Sequence, residues 1–446
     1  MRWPAGGVRN LLQGLWFVPA SIVVVYAVAA VVLVEVDSRS RLAGGPLFAG
    51  DPAAARTVLS VIAGSLITVA GLTFSITIVV LQLTSSQFSP RILRSFFGDR
   101  ITQITVGSYV GIFVYAILVL RSARADFVPR LSVSVASALA IAAVVLLIVF
   151  IHHVSQLIQV SYVTGDIARK TLARLEVLYP AAYGVESVEP DDVSELLDRW
   201  LTAEAFLVMP RTPGYVQRID VDVLTRALGD GVDRAAVLVR PGDFVSIEQP
   251  LIAIWPASQP EECASAVRRA CRVDGERDLD QDIGFGLRQL VDTAVRALSA
   301  GINDPTTATT CVGYLRSILV TLAGREFPPV VHRFPDRSLT VIARRREFDE
   351  YLDSLAEVGY HAARDLRVVQ VLSDGLRSVA STAAMAENGA RSQAAAEVAI
   401  SIASRAKLQT SDPHDHQVIE RLVETVRAEI DAVAHRLTVR SEGPIG

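Results

Sequence analysis

Before residue 152 the chain alternates long apolar stretches with short polar ones, and after it the apolar positions recur at helical or strand spacing. A membrane-spanning helix needs about 20 mostly apolar residues, because in lipid each backbone N–H and C=O must bond within the segment. Stretches at about 15–34, 58–83, 104–120 and 131–151 meet that requirement. The pattern predicts an α-helical membrane protein with four transmembrane helices over 1–151, followed by a mixed, mainly helical α+β soluble C-terminal domain. Arg2 and Arg9 precede the first stretch, as in a signal peptide. Its apolar run exceeds the roughly 7–15 residues of such a peptide, and further spans follow, so it reads as a retained helix.

The second stretch is the most polar. Gly64, Thr68, Gly71, Ser75, Ile78, Gln82 and Ser85 fall at alternating spacings of four and three, on one stripe of a helix. Lipid does not reward a small and polar stripe, so it should face protein or water. Close helix packing of the small-xxx-small kind is one reading, and a path lined by hydroxyls and the Gln82 amide is the other. No acidic or basic side chain lies inside the four apolar stretches, which argues against a proton relay or a voltage sensor.

Beyond the spans, 152–209 reads as a helical connector. His152 and His153 open it, pointing about 100° apart on a helix, which does not suit joint chelation of one ion. A small strand-rich module follows at 210–256, with strands expected at 214–220, 235–240, 244–245 and 250–255 and a turn at Pro241-Gly242-Asp243. It resembles a biotinyl or lipoyl module, yet no lysine lies between Lys170 and Lys407 to carry such a group. The remainder, 257–446, reads as a helical cytoplasmic domain. Its clearest feature is a hairpin in which Arg288, Asp292 and Arg296 sit four apart, able to ladder as ion pairs. Gly301 is expected to end the first helix in a left-handed cap. Asp304 should cap the second, with Pro305 at its first position. Asp412-Pro413-His414-Asp415-His416 fits the capped start of a last helix better than a metal site.

Composition sharpens this. Of 446 residues, 51% are hydrophobic and 20% charged, with a mean hydropathy of +0.37. A net charge of −4 leaves no basic footprint for nucleic acid. Cys263, Cys271 and Cys311 form no CxxC and suit a reducing compartment. Lysine and arginine favour one side of the membrane by eight to six in the segments flanking the spans. Both termini are therefore expected in the cytoplasm, in an inner membrane.

Two blocks carry a family resemblance. The first is Phe74-Ser75-Ile76-Thr77 with Gln82-Leu83 and Ser85-Ser86-Gln87-Phe88-Ser89-Pro90-Arg91. The second is Gln281-Asp282, Phe285-Gly286, Arg288-Gln289-Leu290-Val291-Asp292, Ala294, Arg296-Ala297-Leu298-Ser299 and Gly301-Ile302-Asn303-Asp304-Pro305. Together they resemble a bacterial family of predicted membrane proteins known as domain of unknown function 2254, over nearly the whole chain. Ala300 departs from the proline that family would place there. The resemblance supports the topology and brings no activity.

No nucleophile–base pair, glycine-rich phosphate loop or zinc signature emerges, so neither an enzyme, a cofactor nor a metal is expected. Two functions remain: a homo-oligomeric channel or transporter with a cytoplasmic assembly or gating domain, and a membrane-anchored scaffold or sensor whose soluble domain binds partners. The bilayer is a partner in both.

Overall fold

The structure, a computed structural model, describes residues 16–39, 48–87, 99–124, 127–157, 159–181, 193–228, 231–257, 261–334 and 338–441. The chain divides into two compact units, Met1–Val163 and Thr164–Gly446.

The first unit holds α1 (Phe17–Arg39), α2 (Pro52–Gln87), α3 (Arg100–Ser122) and α4 (Arg130–Leu157). All four are long and apolar enough to cross a membrane. The helices run past the apolar stretches because polar residues continue and cap them. Asp51 accepts from Ala54 N at 2.7 Å and Asp99 accepts from Thr102 N at 2.8 Å, satisfying N–H groups that the first turn leaves free. Asp37, near the end of α1, caps a different helix: it accepts from Leu131 N at 3.0 Å and Ser132 N at 2.9 Å at the start of α4. Arg56 donates to Ala123 O at 2.9 and 2.8 Å, closing the end of α3. At the opposite end of the bundle Asp99 also receives His153 Nε2 at 2.9 Å, while His152 lies 3.2 Å from Gln156. The two histidines thus serve different partners.

α3 is the central helix, with 56% of its apolar window buried against 6–22% for the other three. Tyr109, Ile112 and Tyr115 are its largest buried side chains, packed with Leu59 and Ala63 of α2 and Val133 and Ala136 of α4. The outer faces carry Val24 and Val31 of α1 and Ile141 and Ile148 of α4, all exposed and suited to lipid.

In the second unit α5 (Val160–Leu178), from Thr164 on, and α6 (Val193–Leu201) precede the strands. These are β1 (Phe206–Val208), β2 (Gly214–Ile219), β3 (Arg234–Val237), β4 (Phe244–Val245), β5 (Ile252–Trp255), β6 (Cys271–Asp274), β7 (Val331–Phe334) and β8 (Leu339–Ala343). The short helices α7 (Val221–Ala227) and α8 (Glu261–Arg268) lie between them in sequence. A five-stranded sheet runs β1-β5-β3-β8-β7 and a three-stranded one runs β4-β2-β6. The expected strands inside 210–256 are present, but β1 lies before that range and β6, β7 and β8 lie after it. The strand-rich module is therefore wider than 210–256, and 257–446 is not wholly helical. The physical reason is long-range pairing: β3 meets β8 in parallel, Ala235 opposite Val341, a partner about a hundred residues downstream. Short strands of this kind show little periodicity of their own.

The remaining helices are α9 (Ile283–Ala297), α10 (Pro305–Ala323), α11 (Phe348–Ala362), α12 (Leu366–Met385), α13 (Gly389–Gln409) and α14 (Pro413–Ser441). Their starts are written in the sequence as polar caps. Asp304, Asp365 and Asn388 accept from the N–H three residues on, and Glu347 with Glu350 forms a capping box. α9 is buried on several sides, and α10, α12 and α13 pack successively from it.

Candidate functional site

The stripe on α2 lies on the outside of its own bundle. At 100° per residue it centres roughly 180° from the buried positions Leu59, Ile62, Leu66, Ala70 and Thr73. Gly64, Thr68, Gly71, Ser75 and Gln82 are exposed. Among the described residues, no neighbouring atom lies within 4 Å of the position a Cβ would take on Gly64 or Gly71. The hydroxyls do not face lipid with free protons: Thr68 Oγ1 donates to Gly64 O at 2.9 Å and Ser75 Oγ to Gly71 O at 3.0 Å. This back-bonding satisfies each hydroxyl hydrogen within the helix. The Gln82 amide carries more donors and acceptors than such a bond can serve. Ser85, Ser86 and Gln87 continue α2 as backbone; Phe88, Ser89, Pro90 and Arg91 lie outside the described residues.

Spacing adds to exposure. Gly64 and Gly71, and likewise Thr68 and Ser75, stand one heptad apart. A 3.5-residue repeat keeps one seam against a partner helix and is the geometry of left-handed helix pairs.

A second small-residue seam, outside the stripe expected from the sequence, lies on α3. Gly107 and Gly111 form a GxxxG pair. A Cβ on Gly107 would stand 2.8 Å from Pro19 Cα, and one on Gly111 would collide with the Tyr26 ring. This seam is filled by α1 of the same chain, which the spacing at 107–111 could have announced.

The second motif block organises the other unit. Gln281 clamps β2: its Oε1 accepts from Ile219 N at 2.8 Å and its Nε2 donates to Ile219 O at 3.1 Å. Asp282 is 4% exposed and does not cap α9 with its side chain. It takes Arg277 instead, at 2.6 and 2.9 Å. Burial pushes its carboxyl up, against the pull of Arg277 and Arg346. Gly242 has φ +92 and presses on Asp282, so a side chain there would strike the carboxylate. Gly286 likewise lies against the buried Thr171 of α5, with no room for a Cβ. Arg288 joins Asp292 at 2.6 Å and Glu357 of α11 at 2.5 Å. Gln289 is buried, and Arg296 sits half-buried in the last turn of α9. The expected ladder is thus present in its Arg288–Asp292 rung and extended to a third helix.

The turn after α9 differs from the expectation. Gly301 does not adopt the left-handed conformation; Asn303 does, with φ 49. Asp304 N closes the turn on Ala297 O at 2.8 Å. The left-handed position has moved two residues along, to the residue type that best tolerates it after glycine. Asp304 and Pro305 begin α10 as expected, Asp304 accepting from Thr307 N at 3.1 Å and Thr307 Oγ1 at 2.6 Å. Gln281, Asp282, Gly286, Arg288, Asp292 and Asp304 thus take part in packing, capping or ion pairing. Among the described residues no group of three or more potential metal ligands gathers.

Residues 13–378 match the family model described as "Predicted membrane protein (DUF2254)". An uncharacterised protein of Mycobacterium tuberculosis, Rv1290c, is 30% identical over 392 residues, covering 84% of this chain and 73% of the relative. An uncharacterised protein of Mycobacterium bovis, Mb1321c, is similar to the same extent. No solved structure matches.

Proposed function

The chain belongs to the DUF2254 family of predicted membrane proteins, and from that premise we propose that it is a homo-oligomeric channel or transporter of the inner membrane. In this reading copies of α2 meet on the Gly64, Thr68, Gly71, Ser75 and Gln82 stripe around a common axis. The second unit assembles or gates them from the cytoplasmic side. The observation that carries it is the stripe's placement: small, polar, heptad-spaced and turned away from the chain's own core. Lipid gains nothing from such a face, whereas a second helix can approach closely over glycine and a water-filled path can solvate Gln82. The lysine and arginine bias and the three free cysteines support cytoplasmic termini.

Replacing Thr68 and Ser75 by leucine tests it in liposomes. A path loses flux while assembly persists. A seam that only packs loses assembly. If the unmodified protein shows no flux of ions or small solutes, the channel reading fails. The alternative, a membrane-anchored scaffold or sensor whose soluble domain binds partners, then takes its place.

A further inference from the structure

α10, α12 and α14 border an open surface cleft of about 910 Å³ in the second unit, within the roughly 300–1,000 Å³ typical of small-molecule sites. Its lining is mainly charged and hydroxylic. Arg316 reaches it from α10, Arg377 and Ser381 from α12, and Glu429 from α14.

The ionic bookkeeping there is uneven. Both carboxylates are committed to Arg377: Glu429 at 2.5 Å and Asp374 at 3.2 Å. Arg316 is exposed and, among the described residues, has neither an ion pair nor a hydrogen bond. Ser381 has none either, whereas Ser378 donates back to Asp374 O at 2.9 Å. The cleft therefore presents one uncommitted guanidinium with a free hydroxyl, beside a second guanidinium held by a surface carboxylate. A planar guanidinium offers a fork of N–H donors matched to phosphate oxygens. The volume leaves room for the body of the molecule that carries the phosphate.

We propose that this cleft binds a phosphate-bearing molecule, anchored by Arg316 and Ser381, and that Glu429 competes with the phosphate for Arg377. The competition gives the two sides of the cleft opposite signs. Removing Arg316 weakens binding; neutralising Glu429 releases Arg377 and strengthens it. A merely structural role for Glu429 predicts no gain in affinity on neutralisation.

The test is calorimetric titration of the purified full-length chain with inorganic pyrophosphate, and in parallel with a short-chain phosphatidate. Saturable binding of either supports the proposal. Response to both locates recognition in the phosphate group; response to phosphatidate alone makes a lipid headgroup the source. Arg316→Ala should weaken binding on the order of tenfold, the scale of one charge-assisted hydrogen bond, with an unchanged thermal midpoint because the side chain is exposed. Arg316→Lys should restore part of the affinity, and Glu429→Gln should raise it. The proposal is overturned if neither probe binds, if Arg316→Ala binds as the unmodified chain does, or if Glu429→Gln binds no tighter.

Discussion

Two stripes of small residues lie on neighbouring helices of one bundle, and they meet different fates. On α3, Gly107 and Gly111 sit under Pro19 and Tyr26 of α1, with no room for a methyl group. On α2, Gly64 and Gly71 have open space where a Cβ would go. Small residues in membrane helices let backbones approach closely. One stripe is used up within the chain; the other, glycines and hydroxyls at heptad spacing, has none of the described helices of its bundle against it. The difference separates the seam that folds the single chain from the face proposed to meet other copies.

Substitution can break that comparison. Gly107→Leu forces a side chain against backbone. It should cost on the order of 3 kcal/mol or more, at or beyond the upper end of overpacking penalties, read as a large fall in thermal midpoint in detergent. Gly64→Leu should leave that midpoint nearly unchanged, or raise it slightly because glycine is a poor helix former. Equal losses at the two positions would show that the outward stripe also holds the monomer together.

A second contrast sits in the other unit. Asp282→Asn leaves Arg277 without its charge partner at a site where burial already disfavours the carboxylate, and should cost about 1–3 kcal/mol in chemical unfolding, the scale of a polar group left unsatisfied. A loss under 1 kcal/mol would mean that the pair is solvated in solution. Asn303→Val should cost about 1–2 kcal/mol, since its left-handed backbone disfavours a β-branched residue. Gly301→Val should cost less, because Gly301 has no left-handed φ. The reverse order would return the left-handed cap to Gly301.

The smallest effect expected is on pH. Hydrogen bonds from the Thr307 hydroxyl and backbone N–H hold the Asp304 carboxyl below its usual value. The unfolded chain then binds this proton more readily than the folded one. The contribution of Asp304 is present above the unfolded value of about 3.9 and is lost as pH falls through the lower folded value. Asp304→Asn keeps a good cap and should remove this part of the acid sensitivity. An unchanged acid limb of the stability profile would contradict that assignment.

The spans were legible because about 20 apolar residues in a row have few other uses. The hairpin at 283–323 was legible because Asp304-Pro305 is a local signal for a helix start. Pairings that close over long sequence separations were not: β3 with β8, Asp37 with the start of α4, and Arg288 with Glu357 all join residues that no short window contains. The candidate site was half legible. Spacing revealed the α2 stripe, but only the packing shows that it faces outward. The GxxxG pair at 107–111 is visible in the sequence, but the helix that fills it is not, because Pro19 and Tyr26 lie more than eighty residues away.

Cross-linking in native membranes tests the account's central claim most directly. Cys263, Cys271 and Cys311 are buried and leave the background low. With Thr68→Cys or Gly71→Cys, mild oxidation should join two copies of the chain into a covalent dimer. Ile141→Cys and Ile148→Cys, on the exposed apolar face of α4, should remain monomeric. Cross-linking through α4 with none through α2 would contradict the claim that the outward stripe is where copies of this chain meet.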